Sequence, residues 1–482
     1  MPAPSAEVVL ERRPELDGLA PMDVAERFRD RPGLALLESA RAGRKARWTF
    51  LCADPIEVLE RPTDGPDPFV EARRTIARVS TGRPEATADP GSWPRSAIPP
   101  FTGGLVGALG YDIGRALERL STIAVDDQGL PPLRLALHDW VLAWDRRDGR
   151  AWLAGRAVDG DATALHRRLD GVRQRLTDPW SPDRSGVLPP GGFPFRSGLD
   201  RTAYVARVEA VRERIARGDI YQANLARRLA TPFDGDPWPV YRSLRTGDPS
   251  LFAAYIDLGP GTPPWTGGQG PAPRAIVSAS PEPFVSVDRR GLVATDPIKG
   301  TRPRGRTPEE DRALAAELLS SGKDRAENVM IVDVLRNDLG RVCRPGTIRV
   351  PRLCRLERTT AVQHLVSTVT GRLAPGRDAL DLLAASFPGG SITGAPKISA
   401  MEILEELEPV RRGPYTGAAL WLGPDGAMAS SILIRTLVAD GARLTLHVGG
   451  GITWRSDPEA EWAETEAKAR GPLLAIGGWE VA

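Results

Sequence analysis

The chain has 482 residues, of which 41% are hydrophobic and 26% charged, and its formal net charge is only +2. This length suits one very large domain or two to three ordinary ones, with the composition of a packed globular protein. The near-neutral charge argues against nucleic-acid binding and against attachment to an anionic membrane. No apolar run approaches the roughly 18 residues of a membrane span, and the N-terminus lacks the layout of a signal peptide. We therefore expect a cytoplasmic protein.

Tracts rich in proline and glycine divide the chain. The tract at 181–198 is the best candidate for a linker between an N-terminal region, 1–180, and a C-terminal region, 199–482. In the N-terminal region, short apolar runs alternate with turn residues, which predicts mostly antiparallel strands. The Arg-Arg-Asp-Gly at 146–149 predicts a hairpin turn. A further tract, 259–273, predicts a surface loop.

The C-terminal region mixes helix signals with strand pairs. An apolar stripe of Val208, Val211 and Ile215 predicts a helix that ends near Gly218. Capping-box patterns predict further helices at about 308–321 and 458–470, and another helix is expected at about 324–339, ended by Gly340. Helices and hairpins in this mixture predict an α+β fold with a large antiparallel β-sheet core flanked by helices.

Two of these helices carry acidic residues on one face. Asp324 and Glu327 are three residues apart, while Glu461, Glu464 and Lys468 share a face of the last helix. Four carboxylates on two faces could hold one Mg²⁺ and leave open positions for a substrate carboxylate. From spacing alone, a pair of solvated helix faces remains the alternative.

Two glycine-rich segments, 389–397 and 447–454, predict turns whose backbone N–H groups could approach an anion. The second also belongs to a run, 443–454, that predicts paired strands. The first is not a phosphate loop, because Ala395 and Pro396 separate Gly394 from Lys397. Lys299 lies in a Thr-Asp-Pro-Ile-Lys-Gly-Thr segment, where a lysine would ordinarily be a solvated turn charge. Residue patterns alone therefore leave a candidate metal site without a defined reaction.

Taken together, the segments resemble the chorismate-utilising enzyme family, which includes anthranilate, aminodeoxychorismate, isochorismate and salicylate synthases. The resemblance is strongest from Asp200 to Gly471 and rests on ordered blocks, among them GDIYQANLARR, SASPEPF, DPIKGTRPRG, DRAENVMIVDVLRNDLGRV, FPGGSITGAPK, GPYTGA, VGGGI and ETEAKA. It implies a fold of two large sheets packed like a sandwich, chorismate as substrate and Mg²⁺ as cofactor.

The resemblance also implies roles for individual residues. Glu327 and Glu464 would be metal ligands, with Asp324 and Glu461 in support. The substrate-binding group would comprise Ser391, Tyr415, Arg435, Lys468, His364 and the backbone at Gly449, Gly450 and Gly451.

Two positions separate branches of this family. Isochorismate and salicylate synthases carry a lysine where this chain has Gln222, so hydroxylation by that route is not expected. Lys299 is typical of the aminodeoxychorismate branch, in which a lysine attacks C2 of the ring while Glu282, the expected general acid, protonates the departing 4-hydroxyl. Ammonia then adds at C4, which predicts 4-amino-4-deoxychorismate as product. The alternatives are an anthranilate synthase component I and a non-catalytic, tryptophan-binding regulatory subunit.

The ammonia must come from a partner. None of the cysteines, Cys52, Cys343 and Cys354, lies in the Gly-x-Cys-x-Gly turn of a glutaminase, so the resemblance implies a separate glutaminase subunit. The LLES segment that ends at Ser39 contributes to a tryptophan pocket in relatives. Ser39 is therefore a candidate tryptophan-binding residue.

Overall fold

The computed structural model describes residues 7–41, 43, 45–82, 85–86, 98–179, 188–189, 191–261, 271–359 and 362–481. Most of the predicted linker before residue 191 and the centre of the predicted 259–273 loop therefore lie outside the described residues. Within the described part, no helix is both long and apolar enough to span a membrane.

The helices of the described residues are α1 (Pro21–Ala25), α2 (Val70–Ala77), α3 (Gly114–Leu117), α4 (Ala162–Thr177), α5 (Arg201–Ala216), α6 (Pro237–Gly247), α7 (Pro308–Ser320), α8 (Gly322–Gly340), α9 (Ala379–Ser386), α10 (Lys397–Leu407) and α11 (Pro458–Ala475).

The strands of the first half are β1 (Val8–Arg12), β2 (Ala35–Glu38), β3 (Trp48–Cys52), β4 (Glu57–Leu59), β5 (Glu85–Ala86), β6 (Gly104–Leu109), β7 (Leu133–His138), β8 (Trp140–Asp145), β9 (Arg150–Arg156) and β10 (Phe193–Ser197). Those of the second half are β11 (Gln222–Pro232), β12 (Phe252–Gly261), β13 (Ala272–Ser280), β14 (Pro283–Val287), β15 (Leu292–Thr295), β16 (Ile298–Pro303), β17 (Arg349–Arg358), β18 (Val362–Arg372), β19 (Gly394–Ala395), β20 (Ala418–Leu422), β21 (Met428–Ile432), β22 (Thr436–Asp440), β23 (Arg443–Ile452) and β24 (Gly478–Glu480).

These strands form two large sheets, which confirms the predicted α+β fold. One sheet runs β24-β10-β11-β23-β22-β13-β12-β2-β3-β8-β9-β1-β5, with β19 added beside β11. The other runs β16-β18-β15-β14-β21-β20-β6-β7-β4, with β17 added beside β18. Both sheets take strands from both sides of the predicted linker, because β2 pairs with β12 and β6 pairs with β20. Strand β10 lies inside the 181–198 tract itself.

An apolar core joins the two sheets. Phe50 of β3 packs against Trp421 of β20, with ring centroids 5.7 Å apart, and against Phe101 at 5.5 Å. Ile256 of β12 and Ala419 of β20 belong to a second buried cluster that also spans the sheets. Such interdigitation of inner faces is the packing of a sandwich.

The helix starts agree with the sequence to within about two residues, whereas α11 continues to Ala475, past its predicted end at about residue 470. Thr307 caps α7 by accepting from the Glu310 N–H. For α11, however, the cap is Asp457, whose carboxylate accepts from the Ala460 N–H at 2.9 Å, so the capping box expected from Ser456 is wrong. The Ser456 hydroxyl instead accepts from the Thr453 N–H at 3.0 Å.

Of the two sequence predictions for the segment at 447–454, a strand and a turn, the structure confirms the strand. Its glycines lie in strand β23, where Gly449 pairs with Ala226 of β11. A Cβ added at Gly449 would lie 2.5 Å from the Leu225 carbonyl oxygen, so the close strand approach requires glycine there. The hairpin predicted at 146–149 is confirmed, because it joins β8 and β9.

Candidate active site

Lys299 and Glu282 lie close together, near the starts of β16 and β14. Lys299 is the second residue of β16, and its Nζ donates to the Ser391 carbonyl oxygen at 3.0 Å. Glu282 is buried just before β14, where its carboxylate accepts from the Ser391 hydroxyl and from the Ile298 N–H. Ser391 therefore contacts both of the residues for which the sequence predicts catalysis.

Burial shifts the two titratable groups in opposite directions. It lowers the pKa of Lys299, although the negative charges of Glu282 and Glu327 partly oppose the shift. Burial raises the pKa of Glu282, and the charge of Lys299 partly opposes that shift. Both shifts favour a neutral amine beside a protonated carboxyl, which are the states that a nucleophile and a general acid need.

The acidic faces of α8 and α11 converge beside this pair. The Oε2 atom of Glu461 is buried and has no hydrogen-bond partner among the described residues. A Cβ at Gly450 would lie 2.9 Å from that atom and 3.8 Å from Oε1 of Glu464, so glycine keeps the space between them open. Burial raises the pKa of Glu327 and of Glu461. Burial also acts on Glu464, but the adjacent Lys468 outweighs it and lowers that pKa.

The carboxylates do not close around a metal position in this structure. Across the described ranges, no three His, Cys, Asp or Glu side chains form a group that could hold a metal ion. Lysines lie against them instead: Lys468 Nζ is 2.7 Å from Glu464 and Lys323 Nζ is 4.0 Å from Glu461. The oxygen donors and the partnerless Oε2 of Glu461 suit Mg²⁺. The metal site stays a prediction. Asp324 pairs with Arg302 at 3.2 Å.

Tyr415 and the glycine strand border the same site. Tyr415 is buried, stacks on His447 with ring centroids 5.1 Å apart, and hydrogen-bonds with the Asn224 side chain. The Gly449 carbonyl accepts from Lys468 Nζ at 2.8 Å. A Cβ at Gly451 would lie 2.3 Å from the Gln222 side-chain nitrogen. The buried rings and the closely packed glycines of β23 therefore leave the side chains on this side of the site little room to move.

His364 of β18 and Arg435, which lies between β21 and β22, form a second group beside β16. His364 Nδ1 lies 2.9 Å from the Thr301 hydroxyl, two residues beyond Lys299. Burial, together with the charges of Arg435 and Arg41, lowers the pKa of His364 to about 4, so this imidazole is neutral at physiological pH. Arg435 has φ +50°, a conformation that non-glycine residues adopt rarely and often at functional sites. Its side chain is 44% exposed and lies 3.7 Å from Asp248.

Ser39 lies in a separate cavity of about 160 Å³ between the sheets. Its hydroxyl donates to the Trp48 carbonyl oxygen at 2.9 Å. Lys45 also lines this cavity and forms an ion pair with Asp296, three residues before Lys299. The structure therefore does not bring Ser39 to the catalytic group, although one ion pair connects the two places.

Sequence analysis missed several residues of the site. Lys323 beside Glu461, Lys45 beside Asp296, and the buried pair of Glu408 and Arg412 were not singled out. Arg412 stands three residues before Tyr415, and this closeness to a family motif was the one available signal.

Two sheets in sandwich packing, with lysine, glutamate and glycine-strand groups gathered at one site, agree with one class of enzyme. Residues 35–474 match the model of the family described as chorismate binding enzyme. The chain belongs to this family.

The names of individual relatives show which activities occur among similar proteins. Anthranilate synthase component 1 of Streptomyces coelicolor is 39% identical over 463 residues, covering 94% of this chain and 85% of that protein. Aminodeoxychorismate synthase component 1 of Salmonella typhimurium is 41% identical over 372 residues, covering 76% of this chain and 75% of that protein. The crystal structure of anthranilate synthase component I from Streptococcus pneumoniae superposes with a TM-score of 0.76 at 30% identity, covering 90% of this chain and 93% of that one. By length covered, these relatives favour the alternative, anthranilate synthase component I, over the branch expected from Lys299.

Proposed function

We propose that the chain aminates chorismate at C4 and forms 4-amino-4-deoxychorismate, the activity of an aminodeoxychorismate synthase component I. The observation that carries this proposal is Lys299, whose amine lies on the Ser391 carbonyl beside the buried Glu282. An amination directly at C2 has no use for a nucleophilic side chain at this place. Burial lowers the pKa of Lys299, which increases the unprotonated fraction able to attack.

The proposed reaction replaces one hydroxyl by an amine in two displacements. The Lys299 amine attacks C2, the two conjugated ring double bonds C1–C2 and C5–C6 shift to C1–C6 and C4–C5, and the 4-hydroxyl leaves as water with a proton from Glu282. Ammonia then adds at C4, the double bonds shift back to C1–C2 and C5–C6, and the bond from C2 to the Lys299 nitrogen breaks, which releases the lysine as an amine. The nitrogen that came from ammonia loses a proton, which restores the proton that Glu282 gave up, so the net change is chorismate plus ammonia to the amino product plus water.

The remaining groups would bind the substrate. Glu327, Glu461 and Glu464 would hold Mg²⁺, which supplies a Lewis acid for the ring carboxylate when it is bound. Tyr415 and Arg435, with backbone N–H groups of β23, would bind the other carboxylate. The names of the relatives as component 1 support a second subunit, and we propose a glutaminase that supplies the ammonia.

The second candidate is anthranilate synthase component I. It is favoured by the 94% of the chain that the Streptomyces coelicolor relative covers, against 76% for the Salmonella typhimurium relative. In that case ammonia would add at C2 and Lys299 would not bond to the ring.

Product identity separates the two candidates. Purified protein is incubated with chorismate, Mg²⁺ and an ammonium salt at alkaline pH, and half of each sample receives a 4-amino-4-deoxychorismate lyase. We expect p-aminobenzoate by mass spectrometry only where the lyase is present, and a loss of at least about 100-fold in Lys299→Ala. Anthranilate from the unaltered chain, with or without the lyase, would instead establish the second candidate.

A further inference from the structure

Arg412 is a fully buried cation in the segment between α10 and β20. Its guanidinium forms a two-bond ion pair with Glu408, with Nε–Oε2 at 2.7 Å and Nη2–Oε1 at 2.6 Å. The same group lies 4.6 Å from the ring centroid of Tyr111 and 5.7 Å from that of Tyr415. The carboxylate and the two rings compensate the charge, which would otherwise be costly to bury.

The other bonds of Arg412 reach three separate stretches of chain. Nη1 donates to the Ile392 carbonyl at 3.0 Å and to the Thr416 hydroxyl at 3.3 Å. Nη2 donates to the Asn224 carbonyl at 2.5 Å. A planar guanidinium holds its donors in a fixed fork, so these contacts fix the three stretches relative to one another.

Each stretch carries a group of the candidate site. Ile392 follows Ser391, whose carbonyl accepts from Lys299 and whose hydroxyl donates to Glu282. The side chain of Asn224 hydrogen-bonds with Tyr415. A displacement of Arg412 would therefore change the separation of the nucleophile and the acid at one end and the orientation of the tyrosine at the other.

We propose that Arg412 is a positioning residue for chorismate amination, acting through Ser391 on Lys299 and Glu282 and through Asn224 on Tyr415. The inference rests on the proposed roles of these residues; for addition at C2, Arg412 would act through Ser391 on Glu282 alone and through Asn224 on Tyr415.

The test compares two buried arginines. Arg156 is also buried, and it donates to the Thr102 hydroxyl and to the carbonyls of Ser80 and Gly82, none of which borders the site. Arg412→Lys and Arg156→Lys each keep the positive charge but remove the planar guanidinium and its fixed set of donors. Melting temperature, kcat and KM for chorismate are measured with saturating ammonium and Mg²⁺, and kcat is expressed per folded molecule.

We expect both variants to lose melting temperature, whereas only Arg412→Lys loses kcat, by about 10- to 100-fold, because small misplacements of reacting groups are costly. KM should rise with it, since Tyr415 is one of the groups proposed to bind a carboxylate of the substrate. Should both variants keep kcat and KM per folded molecule, Arg412 is a structural anchor only and the inference is overturned.

A milder variant covers the case in which Arg412→Lys does not fold. Glu408→Gln keeps the shape of the partner but weakens its hold on Arg412, and we expect kcat to fall several-fold in the same direction. Unchanged kcat and KM in Glu408→Gln would then overturn the inference. An unaltered chain that forms neither aminated product would count against the proposed function and not against Arg412.

Discussion

The site around Lys299 and the cavity around Ser39 differ in how their polar groups are satisfied. Beside Lys299, Oε2 of Glu461 and the Gln222 side-chain oxygen are buried without partners among the described residues. Around Ser39, polar groups are paired internally: Glu38 accepts from the Tyr241 hydroxyl at 3.0 Å and pairs with Arg245.

The walls differ as well, because the cavity is bordered by Trp48, Phe50 and Trp421. Buried polar groups without partners are costly, and they persist where a ligand completes them. The comparison favours a charged ligand at the first place and a largely apolar one at the second.

The largest expected difference between the two places comes from replacing Glu282, the proposed general acid. We expect Glu282→Gln to lower kcat by about 10²- to 10⁴-fold, because the amide cannot protonate the departing hydroxyl. Steady-state kinetics with ammonium measures this loss. A matched change in the cavity, Glu38→Gln, should leave kcat within about 2-fold, since Glu38 contacts no residue of the catalytic group. Equal losses of kcat in Glu282→Gln and Glu38→Gln would show that the cavity is functionally coupled to the Lys299 site.

The pH dependence sharpens the same prediction. Burial raises the pKa of Glu282 above its ordinary value of 4.5, so the folded state binds this proton more tightly than the unfolded state does. Its contribution to stability is therefore full below pH 4.5 and is lost as pH rises through the raised pKa. We expect Glu282→Gln to gain stability relative to the unaltered chain as pH rises, as measured by urea unfolding. If the difference in unfolding free energy between the two proteins stays constant with pH, the raised pKa of Glu282 is contradicted.

A smaller effect is expected from the predicted metal ligands. Glu464→Gln should raise the Mg²⁺ concentration for half-maximal activity by at least about 10-fold, because one anionic oxygen ligand is lost. Glu466→Gln is the control, since Glu466 lies on the same helix but lines a groove on its other side. Chelation by EDTA should abolish turnover until Mg²⁺ is restored. Identical Mg²⁺ curves for the two variants would remove Glu464 from the metal site.

The smallest effect is expected in the cavity. Ser39→Ala removes the buried hydrogen bond to the Trp48 carbonyl, which should lower the free energy of unfolding by about 1 kcal/mol. Without tryptophan present, kcat should not change. A rise in melting temperature with added L-tryptophan that disappears in Ser39→Ala would support the predicted tryptophan site. No rise in the unaltered chain would argue against that site.

The sequence predicted the local elements better than the way they combine. Thr307-Pro308 and the stripe of Val208, Val211 and Ile215 were sufficient for α7 and α5, because caps and periodicity depend on neighbouring residues. For the segment 447–454 the sequence supports both a strand and a turn, because three successive glycines normally disfavour a strand. Only the close approach of β11 accounts for them.

The candidate catalytic residues rest on family motifs and not on spacing. Lys299, taken alone, resembled a solvated turn charge, and its burial depends on β18 and on the Ser391 segment, which lie far away in sequence. Arg412 could not be ranked above its neighbour Arg411 from the sequence. Their difference in burial arises from tertiary packing against Glu408 and Tyr111, which no local pattern records.

The pairing of β2 with β12 has a consequence for synthesis of the chain. Ala35 of β2 pairs with Ile256 of β12. One edge of β2 therefore stays unpaired during synthesis until the ribosome has made β12. At 5–20 residues per second, about 220 residues take roughly 10 to 45 s. During that time a hydrophobic strand with an open edge is available for pairing with another chain. We therefore expect slower translation or a higher temperature to increase aggregation of nascent chains, and chaperones that cover strand edges to improve the yield of folded protein.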